Sequence, residues 1–368
     1  MFLTRPTTLT ETIMARHALF VGINHYDQHE DLRGATSDAT EMHKALAEYH
    51  DGSTGPEGEA RTNWNSSLLA DDPDKDQWVA GRKLQRAVTS LLQDDGDDIL
   101  FYFSGHGFID EDGGLLLAAS DDDPKGTRTG YHLPDLIRAI ASSRARSATI
   151  ILDCCHSGEL DKISLPANTC VISAARGDQP AGEREGSGLF TKLLLEGLTG
   201  GAADVLGHIT VLSLYAFAAG ALSSRMDGQE PVLKGYLKRT EPLQRVEGKV
   251  SIEDLKDIPL KFHRAGETHK VTKDHEATAT QTEAALASWA DQDFRTRPDP
   301  WPENVRPTPP QEEFDYFNRL LKAGLLQHSP EETSLFWTCM HEGSVGLTVL
   351  GEYYRQLAGQ EGKLREKY

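Results

Sequence analysis

Residues Ile99-Leu100-Phe101-Tyr102-Phe103-Ser104-Gly105-His106-Gly107 and Thr149-Ile150-Ile151-Leu152-Asp153-Cys154-Cys155-His156-Ser157-Gly158 share one design: an apolar run of strand length feeds directly into a loop carrying a reactive side chain among glycines. Continuous apolar runs of this length suit strands buried on both faces, the condition of a parallel sheet with helices on each side. Ligands in such sheets bind beyond the carboxyl ends of the strands, so the two loops are expected on one edge, with their side chains within reach of each other.

Outward from these runs, Ala18 to Ile23, Leu115 to Ala118 and Cys170 to Ser173 read as further strands. Asp38 to Tyr49 places Met42, Ala45, Leu46 and Tyr49 on one helical face, and Trp78 to Leu92 does the same with Val79, Leu84, Val88 and Leu91. A third helix runs from Leu133 to about Ser142, with others near Phe190 to Leu198 and Val211 to Leu222. Strands alternating with helices give an α/β fold class, a mostly parallel sheet flanked by helices on both faces. Asp51 to Asp76, rich in Gly, Asp, Asn and Ser, reads as a surface excursion broken by Leu68-Leu69-Ala70.

The 368 residues are expected to divide into a tail at 1–16, a main domain at 17–245, a linker-rich segment at 246–310 and a small C-terminal module at 311–368. The tail is Thr-rich without the basic start and apolar centre of a secretory signal, and Met14 is a second candidate start. The balance of 57 acidic against 38 basic side chains, a formal charge of −19, opposes a nucleic-acid partner. No apolar stretch reaches the ~20 residues of a spanning helix, so no membrane partner is expected. Four cysteines at irregular spacing suit neither a disulfide scaffold nor a paired zinc site, and a reducing, cytoplasmic setting is expected.

A thiol is mostly protonated at neutral pH and needs a neighbouring base to become a nucleophile; His106 is the natural supplier for the cysteine pair. Its flanking glycines let a substrate backbone approach and leave amide N–H groups to face an oxyanion. Taken singly, a histidine after a strand is ordinarily a hydrogen-bonded loop residue, and a buried cysteine a small hydrophobe. Cys154-Cys155-His156 has no second cluster at zinc spacing to complete a metal site.

Ser104-Gly105-His106-Gly107 and Asp153-Cys154-Cys155-His156-Ser157-Gly158 resemble the two signature motifs of metacaspases and prokaryotic caspase-like peptidases. The resemblance continues in family order through Leu32 to Ala39, Ser173 to Glu183, Gly188-Leu189-Phe190-Thr191 and Pro231 to Lys234, covering about Ala18 to Leu237. In caspases the histidine precedes the cysteine by about 50 residues, and His106 and Cys155 satisfy this. The resemblance implies a caspase-like fold and a cysteine endopeptidase with Cys155 as nucleophile, Cys154 as its non-catalytic neighbour, His106 as base, and the Gly107 and Cys155 amides as oxyanion donors. It implies an acidic specificity pocket at Asp38 and Asp153, with Ser104 and Asp178 as further substrate-binding candidates. Two carboxylates there favour Arg, then Lys, so the expected partners are proteins with exposed Arg or Lys sites. Lys162, Arg176 and Arg184 are candidate self-cleavage positions. No cofactor is required on this reading; calcium, used by many metacaspases, has Asp121, Asp122, Asp123 and Asp161 as candidate ligands, against the competing reading of a solvated acidic turn. Such relatives often serve stress, cell-death or defence pathways. The alternative is a catalytically silent scaffold of the same fold, whose mark, loss of the histidine or cysteine, is absent. A second rival is an acyl-transfer enzyme acting on non-peptide substrates.

In the C-terminal module, Gln311 to Leu357 resembles the helix-strand-helix rhythm of winged-helix modules, with Gly324 ending one helix and Leu347-Thr348 opening the next. The module is expected to be mainly helical and, lacking a basic stripe, to dock on a regulatory protein or on the main domain rather than on DNA, a purely structural appendage being the competing reading.

Overall fold

The computed structural model describes residues 15–54, 58–72, 77–93, 96–110, 113–154, 163–174, 183–184, 187–223, 231–238, 241–275 and 309–360. The chain divides into two compact units at residues 247 and 248. No helix among the described residues is long and apolar enough to cross a membrane.

In chain order the first unit places β1 (Arg16–Gly22), α1 (Ala35–Ala47), β2 (Asn65–Ala70), α2 (Gly81–Gln93), β3 (Asp98–Ser104), α3 (Leu133–Ser142), β4 (Ser147–Asp153), β5 (Thr169–Ser173), α4 (Leu189–Glu196), α5 (Val211–Ser223) and β6 (Val232–Tyr236). These strands form one sheet in the order β6-β5-β4-β3-β1-β2. All neighbours run parallel except the edge pair β5 and β6.

Period-two alternation splits each strand between two cores. Ile99, Phe101 and Phe103 of β3, with Ile150 and Leu152 of β4, pack under Leu84 and Val88 of α2 and Leu136 and Ile140 of α3. Leu100 and Tyr102, with Ile151, face Met42 and Leu46 of α1, Phe190 and Leu194 of α4 and Leu214 of α5. Each such fully buried Leu, Ile or Phe contributes about 1.5–3 kcal/mol of transfer free energy, which is why the centres of β3 and β4 are apolar.

Two sequence expectations change here. Leu115–Ala118 lies outside the central sheet and forms a separate antiparallel sheet with Gly107–Ile109 and Gly130–His132. The physical reason is length: the connection from β3 is too short for the dozen or more residues a parallel crossover needs. Residues 65–70, inside the expected surface excursion, form the parallel edge strand β2, where Leu69 is buried and Leu68 exposed.

The second unit contains α6 (Ile252–Lys261), α7 (Pro309–Lys322), α8 (Leu335–Met340) and α9 (Val349–Ala358). Its three-stranded antiparallel sheet has the order Thr268–Lys270, Ser344–Leu347, Leu326–Ser329. Residues 252–275, assigned from sequence to the linker-rich segment, therefore belong to this unit, whose helices are joined by a sheet. Gly324, at φ +74°, ends α7 in the left-handed conformation, and Thr348 Oγ1 accepts the Gly351 N–H to cap α9.

Candidate active site

The parallel register puts Gly22, Ser104 and Asp153 side by side at the carboxyl ends of β1, β3 and β4. Leu152 lies opposite Ser173 of β5. At the start of the loop after β3, the Gly105 N–H donates to the Asp153 carbonyl at 3.4 Å. Alternation then sends neighbouring residues to opposite faces: Cys154 joins the core under α2 and α3, while Asp153 points to the face covered by α1 and α4.

On that second face Asp38 and Asp153 are buried, 4% and 7% exposed. Asp38 Oδ2 accepts the Gly188 N–H at 2.9 Å, and Asp153 Oδ2 accepts the Thr191 hydroxyl at 2.6 Å. A Cβ at position 188 would overlap Asp153 and crowd Asp38, so only glycine admits both carboxylates. Since the Thr191 proton goes to Asp153, Tyr102 Oη donates to Thr191 Oγ1, at 2.7 Å. Burial, together with Asp153 and Asp38, holds the Tyr102 phenol well above its ordinary pKa, so it remains a donor. Ser104, 4% exposed, lies beside Tyr102 on the same face. Three sequence-predicted substrate-binding residues, Asp38, Asp153 and Ser104, thus converge. Gly188, Thr191 and Tyr102 complete the group; the motif Gly188 to Thr191 stood in the sequence without a role attached to it.

His106 leaves β3 in a different direction. Its backbone N–H donates to Tyr26 Oη at 2.8 Å, and its ring lies 4.6 Å from the Tyr26 ring. Gly105 sits at φ +158°, with Tyr26 Oη in the space a Cβ would need. His106 Nε2 is 2.8 Å from the Glu30 carbonyl oxygen. A carbonyl only accepts, so in the neutral ring Nε2 carries the hydrogen and Nδ1 keeps the lone pair of a base. The Ala118 N–H donates to the His106 carbonyl at 3.0 Å, which makes Gly107 and Leu117 a non-hydrogen-bonded pair of the antiparallel ladder. The Gly107 N–H therefore points away from its partner strand.

Of the cysteines, Cys154 is 1% exposed within the core, and Cys170 and Cys339 are fully buried. Burial pushes the Cys170 thiol up to about 11. Cys155, Asp161, Lys162, Arg176 and Asp178 lie outside the described residues. Arg184 is described by its backbone alone, in a two-residue strand paired with Ser187–Gly188.

The acidic run does not present three carboxylates to one point. Asp121 Oδ1 accepts from Gly81 N–H and the Thr129 hydroxyl, and Asp123 Oδ1 from Lys125 N–H. Asp122, fully buried, takes His29 and Arg128. Among the described residues the side chains whose ligand atoms converge are His269, His275 and Glu313 of the second unit. There Thr272 N–H donates to His275 Nδ1 at 3.0 Å, so Nε2 carries the hydrogen it gives to Glu313, and Lys261 takes the other carboxylate oxygen. With His269 on the same carboxylate, the four side chains form a hydrogen-bonded ion-pair cluster.

A family model described as the caspase domain matches residues 15–240. The chain is similar to metacaspase-4 of Arabidopsis thaliana, 27% identical over 160 residues, which is 40% of this chain and 34% of that protein. It is also similar to metacaspase-6 of Arabidopsis thaliana, 28% identical over 162 residues, 40% of this chain and 39% of that protein. The similarity therefore spans little more than a third of these relatives' length. Among solved structures, caspase-1 from Spodoptera frugiperda superimposes with a TM-score of 0.45 and 13% identity over 63% of this chain and 91% of that one.

Proposed function

The chain belongs to the caspase-domain family of cysteine peptidases, and from this premise we propose that it is an endopeptidase cutting proteins after Arg, then Lys, with Cys155 as nucleophile and His106 as base. The observation that carries the specificity is the meeting of Asp38 and Asp153 at Gly188, on the same sheet end as the His106 loop. A guanidinium entering beside two carboxylates can make bidentate hydrogen bonds, an ammonium only a point-charge contact, and a substrate carboxylate is repelled.

In the proposed reaction His106 Nδ1 takes the Cys155 proton, and the thiolate attacks the carbonyl carbon after the basic residue. The carbonyl π electrons move onto oxygen, where the Gly107 and Cys155 N–H groups receive them; such a donor is worth on the order of 3 kcal/mol in the transition state. The imidazolium returns its proton to the leaving amine as the C–N bond breaks, leaving a thioester. Water, deprotonated by Nδ1, then releases the acid and restores the thiol. No step calls for a metal, and the bonds made by Asp121, Asp122 and Asp123 support that reading. A protein docked on the second unit would supply regulation, and the exposed Val349 and Tyr353 of α9 support such a surface.

The test is hydrolysis of matched fluorogenic peptides ending in Arg, Lys or Asp by wild type and Cys155→Ala. Cys155-dependent turnover in the order Arg, Lys, with Asp refused, is expected. Preference for Asp overturns the pocket, and cleavage that survives Cys155→Ala overturns the nucleophile.

A further inference from the structure

His29 stands one residue before Glu30, whose carbonyl holds His106 Nε2. Its own Nε2 lies 2.8 Å from Asp122 Oδ2, and its ring stacks on Phe108 with centroids 4.6 Å apart at 26°. The His29 and His106 rings are 5.8 Å apart. Asp122 is fully buried and accepts two further N–H bonds, from Arg128 Nε at 3.0 Å and Thr129 N at 2.7 Å, while Arg128 Nη2 lies 3.0 Å from its other oxygen in an ion pair. The Arg128 guanidinium also lies 4.9 Å from the Phe108 ring centroid. A buried side chain held from both of its oxygens has a fixed geometry.

The loop between β1 and α1 is shaped internally by Asp31, which takes the His25 ring and the Tyr26 N–H, and by Leu32 N–H donating to the Asn24 carbonyl. Those bonds do not tie it to the segment after Ala118. Two others do: Asp27 N–H to the Ser120 carbonyl at 2.9 Å, and His29 to Asp122. The second is made by a side chain, directly beside the carbonyl that touches His106.

We infer that His29, anchored on Asp122 and Arg128, is a positioning residue that keeps the Glu30 carbonyl on His106 Nε2 and so makes His106 present Nδ1 to the thiol. This rests on the reading of His106 as the base. A carbonyl accepting from Nε2 also favours the protonated imidazolium, so losing it makes His106 a weaker base. Among the described residues, Asp122 and Arg128 lie at the His29 end, Asp31 interacts with His106, and Asp71, Cys154 and Asp122 act on Tyr26, whose ring lies 4.6 Å from that of His106.

The test compares the full-length wild type with His29→Ala and with His29→Gln, whose amide nitrogen can still donate to Asp122. Long-range proton–nitrogen spectra of the histidine side chains, with the His106 signals assigned by His106→Gln, read the tautomer without requiring turnover; the other imidazole signals report folding. A single Nε2–H tautomer is expected in wild type and His29→Gln, and an average with the Nδ1–H form in His29→Ala. In peptide hydrolysis, His29→Ala is expected to lose about tenfold or more in kcat at unchanged KM, the scale of removing a working imidazole's second hydrogen bond, and to move the acid limb of kcat/KM to lower pH. An unchanged tautomer in His29→Ala overturns the inference. Equal disturbance in both variants assigns the effect to ring packing on Phe108 and overturns it as well. Should wild type cleave no peptide, the peptidase reading falls, while the spectra still decide the role of His29.

Discussion

Asp38 and Asp153 come from separate elements, a helix and a strand end, and close on the same glycine: the Gly188 N–H donates to Asp38 at 2.9 Å, while Asp153 fills the space a Cβ there would take. Two buried carboxylates this close are costly unless a cation completes them. Asp38→Asn and Asp153→Asn are each expected to reduce kcat/KM on Arg-ended peptides by about 30-fold or more, from the ~2–5 kcal/mol lost when one partner of a buried charge pair is removed. Steady-state kinetics on the Arg and Lys series check this, and a loss below threefold contradicts it. Gly188→Ala is expected to abolish Arg cleavage by displacing Asp153.

Thr191 links Asp153 to Tyr102 by bonds of 2.6 and 2.7 Å inside the core. Thr191→Val keeps the shape and removes the hydroxyl, taking one hydrogen bond each from Tyr102 and Asp153. A loss of about 1–3 kcal/mol in stability is expected, with a raised KM for Arg peptides. Urea unfolding and initial rates of the same preparation measure both.

Thiol reactivity should separate the four cysteines. Cys154, Cys170 and Cys339 are 1%, 0% and 0% exposed, and burial raises the Cys170 thiol to about 11. Iodoacetamide at pH 7.5 is expected to add one label to the native protein, at Cys155, and four after denaturation. Peptide mass spectrometry locates the label; early modification of Cys154 contradicts the assignment.

In the second unit, burial alone would raise the Asp254 carboxyl, but the Arg319 guanidinium and Ser251 outweigh it and hold it below the usual range. Glu313 is lowered in the same way, burial being overcome by Lys261, His269 and His275. Groups whose folded pKa is depressed stabilise the fold fully above their unfolded value, about 4, and that contribution disappears as pH falls through the folded value. Amide exchange in α6 and α7 is therefore expected to accelerate below about pH 4 by this linkage. Asp254→Asn should flatten that dependence; an acid response unchanged in the variant assigns it elsewhere.

Calcium is expected to leave the hydrolysis rate unchanged, because Asp122 is already saturated by His29, Arg128 and Thr129. Rates in chelator and in millimolar calcium decide; strong activation by the ion returns Asp121 to Asp123 or Asp161 to consideration as ligands.

Much of this was legible before any coordinates. The runs ending at Phe103 and Leu152 are dominated by apolar residues, as strands covered on both faces require, and parallel neighbours end at one edge, where Ser104 and Asp153 sit side by side. Leu115–Ala118 misled because a short apolar run looks alike in a parallel sheet and in a hairpin, and only the length of the connection separates the two. Residues 252–275 misled because their composition is polar, although Ser251 and Asp254 form a capping box that marks a helix start.

The sequence by itself determined the α/β class, the His106 and Cys155 motifs, the Asp38 and Asp153 positions and the caspase kinship, since these reside in local patterns of residue type and spacing. Tertiary structure alone decided that Gly188, Thr191 and Tyr102 join Asp38 and Asp153 in one hydrogen-bonded group, that the Glu30 carbonyl faces His106 Nε2, and that Asp122 belongs to His29 and Arg128. Those relations turn on bonds between residues far apart in the chain, Gly188 with Asp38, Tyr102 with Thr191, Glu30 with His106 and His29 with Asp122, which linear spacing does not encode.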